Sequence, residues 1–411
     1  MLQLSTHAPK LAQDRNVSSP HSAGLRNRLK HWYIVAAVGL LNAILLLLVL
    51  NLALYAVLRL RHPAPRPAPA VNFTQHNDPR RLQAAYPGWR EQDVSDLLRE
   101  TPRADREFEY EPLTGFRERP FRGRFVNIDP AGFRYSKNQA PWPPQPGATN
   151  VFLFGGSTAF GYYLPDDQTI PSWLQQCAAA RNARPPLAVY NFARPAYIST
   201  QELALFQQLL RAGHVPTVAI FIDGLNDFIF SDGVPKFTAE LRGFMNGETA
   251  SNPLNSLPMV RAAHWLSNRW SGTAASAPPE KVPDYADATV LGRVTSRWLA
   301  NRKMIEAAAA AFGVRTVFVW QPIPVYDYDL RYHLFLHSDS EFGGFIRAKY
   351  GYAVMNGLRE QGLLGPDVLW LADMQRDRHE NLYVDSVHYN AAFSAEIAAR
   401  IYDFLEKPGS R

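Results

Sequence analysis

From Asn150 onward the sequence repeats an order that few folds accommodate: short apolar runs of strand length alternate with stretches of helix length. The runs occupy residues 151–154 (ending in Gly155 and Gly156), 187–192, 217–222, the segment RTVFVWQP from Arg315, and 368–371. Between them lie helix-like stretches. Residues 199–213 open on Ser199, with Glu202 three residues on in capping-box spacing, and stop at Gly213. Residues 289–312 close on Gly313, and Asn390 opens a final helix through Phe404. Strands separated by helices cannot pair as hairpins. The expected fold is α/β: a mainly parallel sheet with helices on both faces, three layers in all, with ligands collecting at the carboxyl ends of the strands.

Before this region the chain carries a second constraint. Residues 34–58 contain no charge, with Asn42 and Asn51 as the strongly polar side chains. At about 1.5 Å per residue the run exceeds the roughly 30 Å hydrocarbon core of a bilayer. Trp32 and Tyr33 stand at one margin, where such rings favour the headgroup level. A cleavable leader would have an apolar stretch of about 7–15 residues and a small-residue cleavage site. Here Arg59, Arg61 and a proline ladder follow, so a transmembrane helix contacting the lipid bilayer is expected. Basic residues lie on both sides; the excess on the N-terminal side (Lys10, Arg15, Arg26, Arg28, Lys30) favours a cytoplasmic N-terminus. That arrangement gives a single-pass protein of the cytoplasmic membrane, its large domain outside the cytoplasm. Residues 62–79 read as an extended proline-rich spacer and residues 90–101 as a short helix.

The excess of Lys and Arg over Asp and Glu, 43 to 37, is explained by membrane topology, and no basic stripe or zinc-finger spacing points to nucleic acid. Cys177 is the single cysteine, which excludes an intrachain disulfide and cysteine-based metal clusters. It reads as a small buried hydrophobe. His333 and His337 have i, i+4 spacing, which on a helix can hold a metal, but no HExxH glutamate accompanies them; no metal or other cofactor is expected.

Four segments carry chemistry. In GGSTAFG, Gly155 and Gly156 let the chain turn sharply out of a strand and present Ser157 at its end. In NFARPAY, after the second strand, a backbone N–H can face the same point. In DGLND, Asn226 follows the third strand, where its amide can donate to a developing oxyanion. In DSVHYN, Asp385 and His388 stand three residues apart before the last helix, so the carboxylate can fold back onto one imidazole nitrogen while the other faces a nucleophile.

Taken in this order, the motifs resemble those of the SGNH (GDSL-type) hydrolase superfamily, over roughly residues 150–405. The resemblance implies that Ser157 is the nucleophile, that Asp385 and His388 form the Asp-x-x-His pair, and that Gly224 to Asp227 match the Gly-x-Asn-Asp block. It also implies an oxyanion hole of the Ser157 and Ala196 N–H groups and the Asn226 side chain. Two positions depart from the pattern. Gly156 stands where the GDS motif has aspartate, and Ala196 stands where the second block has glycine, tolerable if the backbone there needs no positive φ. An α/β-hydrolase elbow is the weaker match, because its acid comes from a different loop from the histidine.

The resulting division is an N-terminal basic segment (1–33), a transmembrane helix (34–58), a linker with a short helix (59–104) and an SGNH hydrolase-like domain (105–408). A Gly-, Ser- and Pro-rich insertion at 244–286 is a lid, a substrate-contacting loop or a spacer. The implied activity is that of a serine esterase or O-acyltransferase, with O-acetyl esters of a cell-surface carbohydrate as substrate. The alternative is a membrane-anchored protein of the same fold that binds or assembles glycans without turnover.

Overall fold

The computed structural model describes residues 20–61, 79–101, 108–236, 238, 257, 259–260 and 283–407. Residues 62–78 of the expected spacer and most of the expected insertion 244–286 lie outside these residues. The described residues fall into two compact units, one holding the N-terminal helix with Leu257, Met259 and Val260, the other holding the sheet.

In the first unit a single helix runs Pro20–Arg61, and its part Arg26–Tyr55 is long and apolar enough to cross a membrane. Asn51, one of the two strongly polar side chains within its apolar stretch, has partners on both sides of its amide. Its Nδ2 donates to Leu47 O at 2.9 Å and its Oδ1 accepts from Met259 N–H at 3.3 Å. Satisfying that amide lowers the cost of placing it in an apolar surrounding.

The second unit is organised by five parallel strands. In chain order they are β5 (Thr149–Gly155), β6 (Leu187–Asn191), β7 (Val218–Asp223), β8 (Arg315–Trp320) and β9 (Val368–Trp370), arranged β6-β5-β7-β8-β9. Four earlier strands form two small antiparallel pairs, β1 (Phe108–Glu111) with β2 (Gly115–Glu118) and β3 (Phe121–Arg122) with β4 (Asn127–Ile128). The expected parallel sheet is present, and strand alternation divides its core. One face is aromatic: Phe152, Phe154, Tyr190, Phe221, Phe318 and Trp320 pack under the helices Ser199–Arg211, Ala288–Phe312 and Ile346–Glu360. The other is aliphatic: Val151, Leu153, Val189, Ile220, Ile222, Val317 and Val319 pack under Ile170–Ala180 and Ala391–Leu405. Both faces are covered, which explains why β5 and β7 read as continuous apolar runs.

One sequence expectation changes, and the spaced histidine pair finds its place. Ser199 is not an N-cap; it is the first helical residue, behind Ile198, and its N–H and Oγ both donate to Asp227. A carboxylate from the short helix Leu225–Ile229 satisfies the helix start, so Glu202 is free to turn inward, where it is buried. His333 and His337 share no helix, since the 3-10 turn Leu330–Tyr332 ends before them. His333 is buried and its Nδ1 accepts from the Phe335 and Leu336 N–H groups at 3.1 and 3.0 Å, while His337 is exposed.

Candidate active site

The carboxyl ends of β5, β6 and β7 deliver three of the four motifs. Gly155, the last residue of β5, has φ 151°, and a Cβ there would lie 2.6 Å from Ala159 Cβ and 2.8 Å from Ile222 O. Only glycine makes this turn, and it places Ser157 at the start of the short helix Ser157–Phe160. Gly156 leaves room for a neighbour: a Cβ there would meet Asn226 Nδ2 at 2.3 Å. The departure from the GDS motif thus coincides with close approach of the Asn226 amide. Gly224, at φ 131°, is similarly confined, because a Cβ would fall 2.2 Å from Tyr352 Oη.

Ser157, His388 and Asp385 stand in line. His388 Nε2 lies 2.8 Å from Ser157 Oγ, and His388 Nδ1 lies 2.6 Å from Asp385 Oδ2. An acceptor at Nδ1 assigns the ring proton there and leaves Nε2 as the acceptor for the serine hydroxyl. Asp385 Oδ1 is occupied as well, accepting from Val387 and His388 N–H at 2.9 and 2.7 Å. Burial works to raise the Asp385 carboxyl, but the facing His388 ring and these hydrogen bonds outweigh it and hold it at about 2. The carboxylate is therefore ionised throughout the neutral range.

The second motif supplies a strained turn. Ala196 has φ 62°, in the left-handed region that costs a non-glycine residue roughly 1–2 kcal/mol. The condition that its backbone need no positive φ is not met. The turn is nonetheless braced by its neighbours. Arg194, fully buried, donates to Tyr197 Oη at 2.7 Å, to Phe116 O at 3.3 Å and to Glu111, while Tyr197 Oη donates to Phe116 O at 2.5 Å. The β1–β2 hairpin thereby clamps the loop in which Ala196 sits. Burial pushes the nearby Glu118 carboxyl up to about 7 against the opposing pull of Arg194. The Ser157 and Ala196 N–H groups make no backbone hydrogen bond among the described residues.

Asn226 completes this side. Its Nδ2 donates to Tyr197 O at 2.8 Å, leaving one amide hydrogen over. Beneath it Glu202, Asp223 and Asp227 are all buried. Burial and the neighbouring Asp227 charge push Asp223 up to about 7, and burial, then Asp223, carries Glu202 well above the carboxylate range.

Several partners of this site carry no motif. Arg134, 1% exposed, pairs with Asp166 at 2.9 Å and donates to the carbonyls of Phe160, Gly161 and Leu164. That grip holds the turn bearing Tyr162 and Tyr163, whose rings lie 5.1 and 5.6 Å from the His388 ring. In the sequence Asn127, Ile128, Asp129, Gly132 and Arg134 form a compact turn-like group, but nothing local shows that Arg134 reaches Asp166.

A five-stranded parallel sheet in this order, with the serine after its second-from-edge strand and the Asp-x-x-His turn before the last helix, decides the architecture. It is an SGNH-like α/β fold. Solved structures similar to this chain include an esterase from Pseudoalteromonas sp. at 14% identity, covering 63% of this chain and 97% of that one, with TM-score 0.33. A member of the lipolytic G-D-S-L family from Veillonella parvula DSM 2008 is 13% identical, with 63% and 97% covered and TM-score 0.32. A catalytic mutant of an acetylxylan esterase from Geobacillus stearothermophilus is 10% identical, with 64% and 98% covered and TM-score 0.37. No protein-family profile and no curated protein matches the chain.

Proposed function

We propose that this SGNH-like chain is a serine esterase or O-acyltransferase in which Ser157 is the nucleophile, His388 the base and Asp385 its orienter. The observation that carries the reading is the unbroken path from Asp385 Oδ2 to His388 Nδ1 at 2.6 Å and from His388 Nε2 to Ser157 Oγ at 2.8 Å. His388 Nε2 takes the hydroxyl proton as Oγ bonds to the ester carbonyl carbon, and Asp385 stabilises the imidazolium. The carbonyl electrons move onto oxygen, which the Ser157 and Ala196 N–H groups and Asn226 receive. Collapse breaks the bond to the alcohol, which leaves with the proton from His388. Water or a sugar hydroxyl then attacks the acyl-serine, giving its proton to His388, and the acid or new ester departs as Ser157 regains the proton.

The substrate we assign is an O-acyl, foremost O-acetyl, carbohydrate of the cell surface. The resemblance in motif order supports the ester, and the helix Arg26–Tyr55 supports work at a membrane. In this reading the helix is a single anchor in the cytoplasmic membrane, with the N-terminus inside and the sheet-bearing unit outside. Protease added to intact cells then cleaves that unit; protection of the unit overturns the placement. Activity is tested with a chromogenic acetyl ester and acetylated oligosaccharides, comparing the full chain with Ser157→Ala. Turnover that Ser157→Ala abolishes supports the reading; no turnover by either chain favours the non-catalytic glycan-binding alternative, which the strained Ala196 turn keeps in view.

A further inference from the structure

Resting on the serine reading above, we infer that Gln321 is a positioning residue that ties the nucleophile turn to the base turn. It stands directly after β8, outside every motif, and is 3% exposed. Its side-chain Oε1 accepts from Thr158 Oγ1 at 2.5 Å and lies 3.2 Å from Tyr389 Oη, whose single hydrogen it shares with the nearer Pro322 O at 2.6 Å. Thr158 follows Ser157 and Tyr389 follows His388 in the chain. Both are buried, at 4% and 2% exposure. One amide therefore spans the two segments whose separation sets the Ser157–His388 contact.

The backbone of Gln321 is fixed just as firmly. Its N–H donates to Asp223 O at 3.1 Å, and its carbonyl accepts from Tyr352 Oη at 2.9 Å. Asp223 immediately precedes Gly224, behind which Asn226 is carried. Gln321 thus anchors at β8 while its side chain holds segments leaving β5 and the last loop. Sub-ångström displacement of a nucleophile from its base lowers turnover more than binding, because the lost interaction is made at the transition state. A residue acting in this way leaves KM nearly unchanged.

The test uses the full chain in detergent, p-nitrophenyl acetate as substrate and a fluorophosphonate to count competent sites. Gln321→Met keeps the length of the side chain and removes the amide; Thr158→Val keeps shape and removes the hydroxyl, and remains decisive if Gln321→Met does not fold. Expected are kcat losses of roughly 10- to 100-fold per competent site in each, with KM within about twofold. The double variant loses no more than the worse single one, as for residues acting through one contact. Unchanged kcat per site in Thr158→Val, or fully multiplicative losses in the double variant, overturns the inference while leaving the serine reading intact. A wild-type chain that neither turns over the ester nor takes the fluorophosphonate overturns both.

Discussion

Asn226 Nδ2 donates to the Tyr197 carbonyl at 2.8 Å, so the block after β7 is hydrogen-bonded to the loop after β6 one residue beyond Ala196. The two side arms of the proposed oxyanion hole are one assembly. Replacing Asn226 by alanine removes a donor and the tie together. The expected loss in kcat is on the order of 10²- to 10³-fold, as for a single oxyanion donor elsewhere. Steady-state kinetics on an acetyl ester checks it, and a loss confined to KM contradicts the assignment.

Ala196 offers a test in the opposite direction. Its φ of 62° is freely available to glycine, whereas a β-branched residue meets a larger clash there. Glycine also loses more chain entropy on folding, which offsets part of the relief. Ala196→Gly is expected to be more stable by about 0.5 kcal/mol and to keep its activity, while Ala196→Val loses roughly 2 kcal/mol or more. Urea denaturation measures both, and equal stability of the two variants refutes the strain.

Asp385 is held at about 2 and hydrogen-bonds His388 through both the ring and the main chain. Asp385→Asn keeps the shape but presents an amide to Nδ1, favouring the wrong tautomer. A kcat loss approaching 10⁴-fold is expected, with the fold retained by circular dichroism. Activity within tenfold of wild type contradicts the orienter role.

His333 gives the fold an acid-sensitive element. Burial holds its imidazole at about 4, below the ordinary 6.5, despite the opposing Asp385 charge. The unfolded chain therefore binds a proton between these values that the folded chain does not. The neutral ring's contribution to stability is fully present above pH 6.5 and is lost as the pH falls through 4. The shift corresponds to about 3 kcal/mol as an order of magnitude. His333→Asn, which keeps a short acceptor for the Phe335 and Leu336 N–H groups, should flatten the wild-type decline over this interval. Parallel stability curves for the two chains argue against it.

The central sheet was legible because its strands are buried on both faces and so read as unbroken apolar runs, as β5 and β7 show. Ser157, Asn226, Asp385 and His388 could be picked out because each follows a strand or precedes a helix in a short motif. The residues that surround them could not. Arg194 meets Glu111, and Gln321 meets Thr158 and Tyr389, across long stretches of chain, through polar side chains with no periodicity. Ser199 departs from its spacing for a related reason: locally it forms a capping box, but Asp227, from the short helix Leu225–Ile229, takes the helix start. The left-handed turn at Ala196 had no sequence mark beyond the alanine itself.

The central claim is that Ser157 Oγ is an activated nucleophile. Treating the full chain in detergent with a fluorophosphonate and mapping the adduct by mass spectrometry tests it most directly. A single phosphonyl adduct on Ser157, absent from Ser157→Ala and strongly slowed in His388→Ala, is the expected result. No adduct on the wild-type chain, or one that persists in Ser157→Ala, contradicts the claim.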